Sequence, residues 1–309
     1  MSRYARLTEN LDWGILLSSA AILCLGLMSV YSSTQAFGHA IFFRQLLWVG
    51  VGSVFLVAAF AVDYRHLLYS AWPFYGIVVI SLLCVFVIGR EVSGARRWIV
   101  LGPVSMQPSE LAKVLVVVWM AYWAEKKRHI SLHGLRELVF PACVISLPVL
   151  LILLQPDLGT AGIVSFIACA MFLILGINRT TLVTLMGLFL ACLPAVWFVL
   201  RDYQRMRVLT FLDPSRDPLG SGYHAIQSKI AVGSGGLLGK GFMHGTQTQL
   251  NFLPEHHTDF IFSVVAEEWG FAGSIVLLAL YLVLITKILN VGLKAKDRFG
   301  ALLCFGIAA

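Results

Sequence analysis

Charge is what this sequence has least of. Asp, Glu, Lys and Arg make up only 13% of its 309 residues, about half the share of a soluble globular chain. Fully 59% of the residues are hydrophobic and mean hydropathy is +0.84, which excludes an ordinary soluble enzyme. Low-complexity polar tracts are missing, and 27 Gly with 10 Pro are too few and too scattered for a collagen-like or disordered chain. Cysteine is sparse as well. Cys24, Cys84, Cys143, Cys169, Cys192 and Cys304 all fall in apolar stretches with no CxxC pair, so neither a disulfide scaffold nor a thiolate metal centre is expected. The net charge of +7 would suggest nucleic acid in a soluble chain. Here the basic residues flank apolar runs, so no nucleic-acid partner is expected. What the sequence does have is apolar runs of membrane-crossing length, the mark of an all-α polytopic membrane protein.

A hydrocarbon core about 30 Å thick needs roughly 20 helical residues per span. Candidate spans are Trp13–Tyr31, Leu46–Val62, Leu67–Ile88, Pro108–Ala124, Leu138–Leu154, Leu158–Ile177, Thr180–Leu200 and Phe260–Thr286. A ninth begins near Phe299 and runs only eleven residues to Ala309, so eight complete spans and part of a ninth are expected. The N-terminus has Arg3 and Arg6 but no A-x-A exit, and reads as a retained first span rather than a cleaved signal. With the N-terminus inside, the short cytoplasmic pieces hold twelve of the 23 basic residues and the opposite short loops four: Arg44, Arg90, Arg96 and Arg97. The positive-inside rule therefore predicts a cytoplasmic N-terminus. Two sizeable outer segments remain, 89–107 and 201–259. The second is the large loop between spans seven and eight of a single membrane domain, 1–309. Tyr223, Ile226 and Ile230 at helical spacing suit a helix along the membrane surface.

Ionisable residues at span ends and within spans are costly, and mark cavities or partners. Three clusters stand out, all on the expected outer side. In the first, Arg97-Trp98 precedes Gln107-Pro-Ser-Glu110, with Lys113 one turn further along the same helical face. A capped helix start accounts for Glu110, but Lys113 sits a turn inside an apolar span. The second is Gln155-Pro-Asp157, where Asp157 suits an N-cap. The third is Leu253-Pro-Glu-His-His-Thr-Asp259, followed by Glu267 and Glu268. Asp259 also suits a cap, but Glu267 and Glu268 lie two turns deeper and must meet a polar cavity or a basic partner; Lys113, Arg44 and Arg97 are the candidates.

Two patterns are set aside. The stretch around Gly239-Lys240 resembles a phosphate loop, but Ser234 stands where that motif needs Gly, and Gly241 where it needs Ser or Thr. His129 with His133, and His256 with His257, bring no further ligands at metal spacing.

The three clusters, in this order and with Gly245-Thr-Gln-Thr-Gln249, resemble the SEDS family of cell-wall proteins (shape, elongation, division and sporulation). The resemblance covers essentially the whole chain, and its third motif is the specific one. It implies a fold of ten transmembrane helices, the last of them beyond Ala309. It also implies a peptidoglycan glycosyltransferase of cell elongation and shape maintenance, polymerising lipid II on the outer face of the bacterial cytoplasmic membrane. A class B penicillin-binding transpeptidase and other elongation-complex membrane proteins are the implied partners. Asp259 matches the family's essential loop aspartate and is the expected general base. Arg44, Arg97 and Lys113 are expected to meet the pyrophosphate. Trp98, Gln107, Ser109, Glu110, Asp157, Gln249, Glu255, His257 and Thr258 complete the expected substrate site. Glu110 and Asp157 would orient the cations, or hold a divalent ion such as Mg or Mn against the leaving group. The rival readings are a flippase for the lipid-linked precursor and a non-catalytic scaffold for the transpeptidase. Charges gathered at the membrane edge, without repeated halves, favour the enzyme.

Overall fold

The computed structural model describes residues 11–35, 38–92, 95–101, 104–127, 135–178, 180–185, 187, 191, 197–198, 202–217, 221–249 and 258–309. It is a helical membrane protein. Five described helices are long and apolar enough to cross a bilayer: α1 (Trp13–Ser33), α2 (Ala40–Ala61), α3 (His66–Ile88), α5 (Leu135–Leu154) and α10 (Ile261–Leu293). Between α3 and α5 lies α4 (Pro108–Lys126), after α5 comes the shorter apolar α6 (Leu158–Ile174), and α11 (Arg298–Ala308) ends the chain as given. The seventh expected span is described only at helical residues 180–185, 187, 191 and 197–198. The long loop contains α7 (Asp202–Leu212), α8 (Ser221–Ser234) and the single turn α9 (Thr246–Gln249).

Two compact units divide the chain. One comprises residues 1–58 and 191–287, the other residues 59–190 and 288–309. In the second unit α4 is the central helix. It buries Ala112, Leu115, the run Val116–Ala121, Trp123 and Ala124, and packs against α3, α6 and α11. Trp119 sits edge-on to Trp72 of α3 with Phe140 of α5 on its other side. Gly306 of α11 lies so close to Val117 that a Cβ there would fall 2.6 Å from its Cγ1. Pro108 starts α4 at a position whose N–H would have no helical partner, and Lys126 suits its last turn.

The segment 89–107, read from sequence only as an outer loop, is a three-stranded antiparallel sheet in the order β1 (Arg90–Val92), β2 (Ala95–Leu101), β3 (Val104–Met106). Glu91 pairs with Arg96, and Ile99 with Met106. The sequence signal was there: Ser93-Gly94 and Gly102-Pro103 are turn dipeptides on either side of β-branched and aromatic residues. The pleat turns successive side chains to opposite faces, leaving Arg96 exposed and Arg97 half-buried.

In the first unit the helix expected around Tyr223, Ile226 and Ile230 forms as α8, but it is not a free surface helix. It runs parallel to the start of α10, with Ser228 Oγ 2.7 Å from Ser263 Oγ and Ser234 reaching Glu267. The buried positions of α1 are all serines, Ser18, Ser29, Ser32 and Ser33. Ser32 donates to the Glu268 carboxylate.

Candidate active site

The first and second clusters meet in the second unit. Asp157 caps α6: its Oδ1 accepts the Thr160 N–H at 3.2 Å and its Oδ2 accepts the Thr160 hydroxyl at 2.9 Å. The Gln107 amide, from the residue before α4, donates to the same Oδ2 at 3.2 Å. Arg97 comes off β2, donates to the Pro156 carbonyl at 2.6 Å and stands 3.8 Å from Asp157 Oδ1. The Arg97 Nε is buried without a partner, as is the hydroxyl of Ser109, in the first turn of α4. Next to Ser109, Glu110 is exposed and pairs with Lys113 at 2.7 Å across one helical turn. The capping reading of Asp157 describes this side chain. It holds the start of α6 and ties it to the sheet and to α4. Trp98 is half-buried on β2.

The third cluster belongs to the first unit. Thr258 and Asp259 are exposed just ahead of α10. Thr258 lines a mainly apolar groove of about 520 Å³ with Ile22, Leu23, Gly26, Leu27 and Val30 of α1, Gln45 of α2, and Ile261, Tyr281 and Leu284 of α10. Arg44 is exposed on α2 beside Gln45. Glu255 and His257 lie outside the described residues, and so does the side chain of Gln249.

Glu267 and Glu268 are buried, at 0% and 2% exposure. The basic partner of Glu267 is none of the three candidates drawn from sequence. It is Lys240, whose ammonium lies 2.7 Å from Glu267 Oε1 and 2.7 Å from the Thr246 hydroxyl. The same carboxylate oxygen accepts the Gln247 N–H at 3.0 Å and the Thr246 hydroxyl at 3.2 Å. Lys240 belongs to the glycine-rich stretch set aside as a false phosphate loop. That rejection stands, but the stretch carries the cation that the buried glutamate needs. Its signal in the sequence was a lone lysine among glycines, 27 residues from its partner.

Among the described residues no three His, Cys, Asp or Glu side chains gather as a ready-made metal site. A pyrophosphate-bound Mg²⁺ would need only one or two protein carboxylates. The exposed Glu110 is paired with Lys113, and Asp157 is committed to its cap.

Comparison with known proteins places the whole chain among relatives. A family model described as "Cell cycle protein", covering FtsW, RodA and SpoVE, matches residues 11–309. The chain is 40% identical over 302 residues to the peptidoglycan glycosyltransferase MrdB of Escherichia coli K12, covering 96% of this chain and 80% of that protein. Among solved structures it is similar to a chain of a peptidoglycan synthase complex that coordinates polymerization and crosslinking. That match has a TM-score of 0.81 and 35% identity, over 97% of this chain and 83% of the other. It is also similar to the rod shape determining protein RodA of Thermus thermophilus, with a TM-score of 0.70 and 31% identity, over 97% and 81% of the two chains.

Proposed function

This chain belongs to the FtsW, RodA and SpoVE family of cell cycle proteins, and from that premise we propose that it is a peptidoglycan glycosyltransferase of cell elongation, polymerising lipid II at the outer face of the bacterial cytoplasmic membrane. The observation that carries the reading is Asp259. It is an exposed carboxylate next to Thr258, which lines the apolar groove, in the motif that distinguishes the family. A lipid-linked sugar needs these two features side by side, a polar edge for its headgroup and an apolar channel for part of its polyprenyl chain.

The chemistry is displacement at an anomeric carbon. Asp259 takes the proton of the attacking sugar hydroxyl, the hydroxyl oxygen bonds to the anomeric carbon, and the lipid pyrophosphate leaves with the bonding electrons. Positioned proton transfer of this kind contributes about 10²–10⁴-fold. Pyrophosphate leaves without protonation, so no second acid is required, and a single displacement of an α-linked donor gives a β-linked product. The departing charge needs cations. We assign that role to Lys113 and Arg44; Arg97 is instead held by the Pro156 carbonyl and Asp157. A divalent ion carried in on the pyrophosphate would add to the same neutralisation, with Glu110 as its protein carboxylate.

The likeness to a chain of a synthase complex supports a transpeptidase partner of the class B penicillin-binding type, with other elongation-complex proteins around it. The distribution of Lys and Arg supports a cytoplasmic N-terminus. The test is glycan-chain formation from labelled lipid II by purified wild-type protein and Asp259→Asn, both checked for folding. Polymer from the wild type alone is the expected result. Polymer from both would move the base elsewhere. Polymer from neither, with lipid II crossing reconstituted vesicles, would replace the enzyme with a flippase.

A further inference from the structure

Helix α10 is broken at Gly270, whose φ of 66° and ψ of −160° leave the helical region. A break inside a membrane helix frees carbonyls on one side and N–H groups on the other, and in lipid these must find partners. Among the described residues, 236–241 supply backbone partners for four of these groups. The Lys240 and Gly241 N–H groups donate to the Glu267 and Glu268 carbonyls, each at 3.0 Å. Past the break, the Phe271 and Ala272 N–H groups donate to the Gly236 and Leu237 carbonyls at 2.9 and 3.1 Å. The fit is backbone on backbone. A Cβ on Gly235 would fall 2.0 Å from the Ala266 carbonyl oxygen, and one on Gly239 would fall 2.1 Å from that of Glu268.

The first part of α10, from Ile261 to the break, is therefore fixed less by its own continuation than by this loop. Asp259 stands just ahead of that short segment, which is about 13 Å long at 1.5 Å per residue. The Lys240–Glu267 ion pair is a charged link between loop and segment, and it is closed by Thr246 and Gln247. A buried pair of this kind is weak evidence for stability, because apolar residues of similar volume serve as well or better. What it supplies is a defined geometry.

We propose that Lys240 and Glu267 are positioning residues, which set the angle of the segment that presents Asp259 to the sugar. The proposal rests on the reading of Asp259 as the base. Misplacing a reacting group by about 1 Å costs on the order of 100-fold in rate, so the effect should fall on kcat and not on lipid II binding.

The test is steady-state lipid II polymerisation by the purified protein, with thermal unfolding measured alongside. The double variant Lys240→Met/Glu267→Met keeps volume and removes both charges. Its expected result is a near-wild-type melting temperature, a kcat lowered about 10–100-fold and a KM within about twofold. Lys240→Arg, which keeps the charge, should recover most of kcat. A folded double variant with wild-type kcat would overturn the proposal. If the double variant does not fold, Thr246→Val decides: it removes one link of the closure without burying a charge, and an unchanged kcat there overturns the proposal equally. Asp259→Asn is run beside them. An active Asp259→Asn removes the base reading itself, whereas an inactive one beside a fully active double variant removes only the positioning role.

Discussion

Asp157 and Glu267 are both buried carboxylates facing a basic side chain, Arg97 and Lys240 respectively, yet the two are built in different ways. Asp157 divides its bonds: one oxygen caps α6, and the other takes the Thr160 hydroxyl and the Gln107 amide. Arg97 is peripheral to it, 3.8 Å away and about a quarter exposed. Glu267 is fully buried, and its Oε1 accepts from Lys240 at 2.7 Å, from the Thr246 hydroxyl and from the Gln247 N–H. Local capping sustains the first carboxylate with or without its cation. The second depends on a cation delivered from a distant loop, and that loop depends on glycines.

The sharpest way to break this contrast is to attack the loop–helix joint itself. Gly270→Ala would place a Cβ 2.3 Å from the Gly239 nitrogen, at a φ that L-residues avoid. With backbone on both sides there is nothing flexible to yield, and a loss of about 4 kcal/mol or more is expected. The readout is failure to elute as a single species, or a large drop in melting temperature. Gly162→Ala on α6 is the counterpart, since its added Cβ meets nothing within 4 Å. It should be neutral or stabilising by up to about 1 kcal/mol.

Next in size is removal of each cation. Lys240→Met leaves Glu267 buried and unmatched, at a cost of about 3–5 kcal/mol. Arg97→Met leaves Asp157 with its cap, hydroxyl and amide, so about 1–2 kcal/mol is expected, most of it from the lost bond to the Pro156 carbonyl. Thermal unfolding of both variants checks the difference. Equal losses would mean that Asp157 depends on its cation as Glu267 does.

The same contrast explains what could be read from sequence. Asp157 was legible as a cap because a cap is local: an Asp after Pro, ahead of an apolar run, fixes its own partners within three residues. The spans were legible for a similar reason, since a bilayer demands length and hydropathy and little else. Glu267 was legible only as a demand. A buried carboxylate must have a donor, but nothing local says that Lys240 answers it, because that pairing is made by chain reversal through Gly235–Gly241. The break at Gly270 was hidden too, as a single glycine inside an apolar run is common in membrane helices. The sheet at 90–106 left only its turn dipeptides as a signal, because strands of three to seven residues carry too short an alternation to compete with the helical pattern around them.

A smaller effect is expected at the exposed pair of Glu110 and Lys113. Glu110→Gln should change stability by no more than about 1 kcal/mol, as for other solvent-exposed pairs. If the role assigned to Lys113 is right, Lys113→Met should instead lower polymerisation far more than it lowers melting temperature.

The smallest effect concerns Asp297, which caps α11 through the Gly300 N–H at 2.7 Å, accepts the Tyr64 hydroxyl and faces Arg65 at 3.5 Å. Burial alone would raise this carboxyl, but the bonds from Tyr64, Gly300 and Arg65 together hold it below the usual carboxylate range. Tyr64 is pushed the other way, above its ordinary value, chiefly by the bond to Asp297 and then by burial. The unfolded chain therefore takes up the Asp297 proton at a higher pH than the folded one. The stability it contributes is complete above the ordinary carboxylate value of about 3.9 and is lost as pH falls through the lower folded value. The Tyr64 contribution runs in the opposite sense, complete below about pH 10 and lost above it. The latch is thus at full strength from about pH 4 to pH 10. Asp297→Asn, which can still cap, should lower the melting temperature by only about 1–2 °C at pH 7. The gap between variant and wild type should then narrow as pH falls below about 4. A gap that stayed constant from pH 7 to pH 3 would assign the whole effect to the cap and none to the charge.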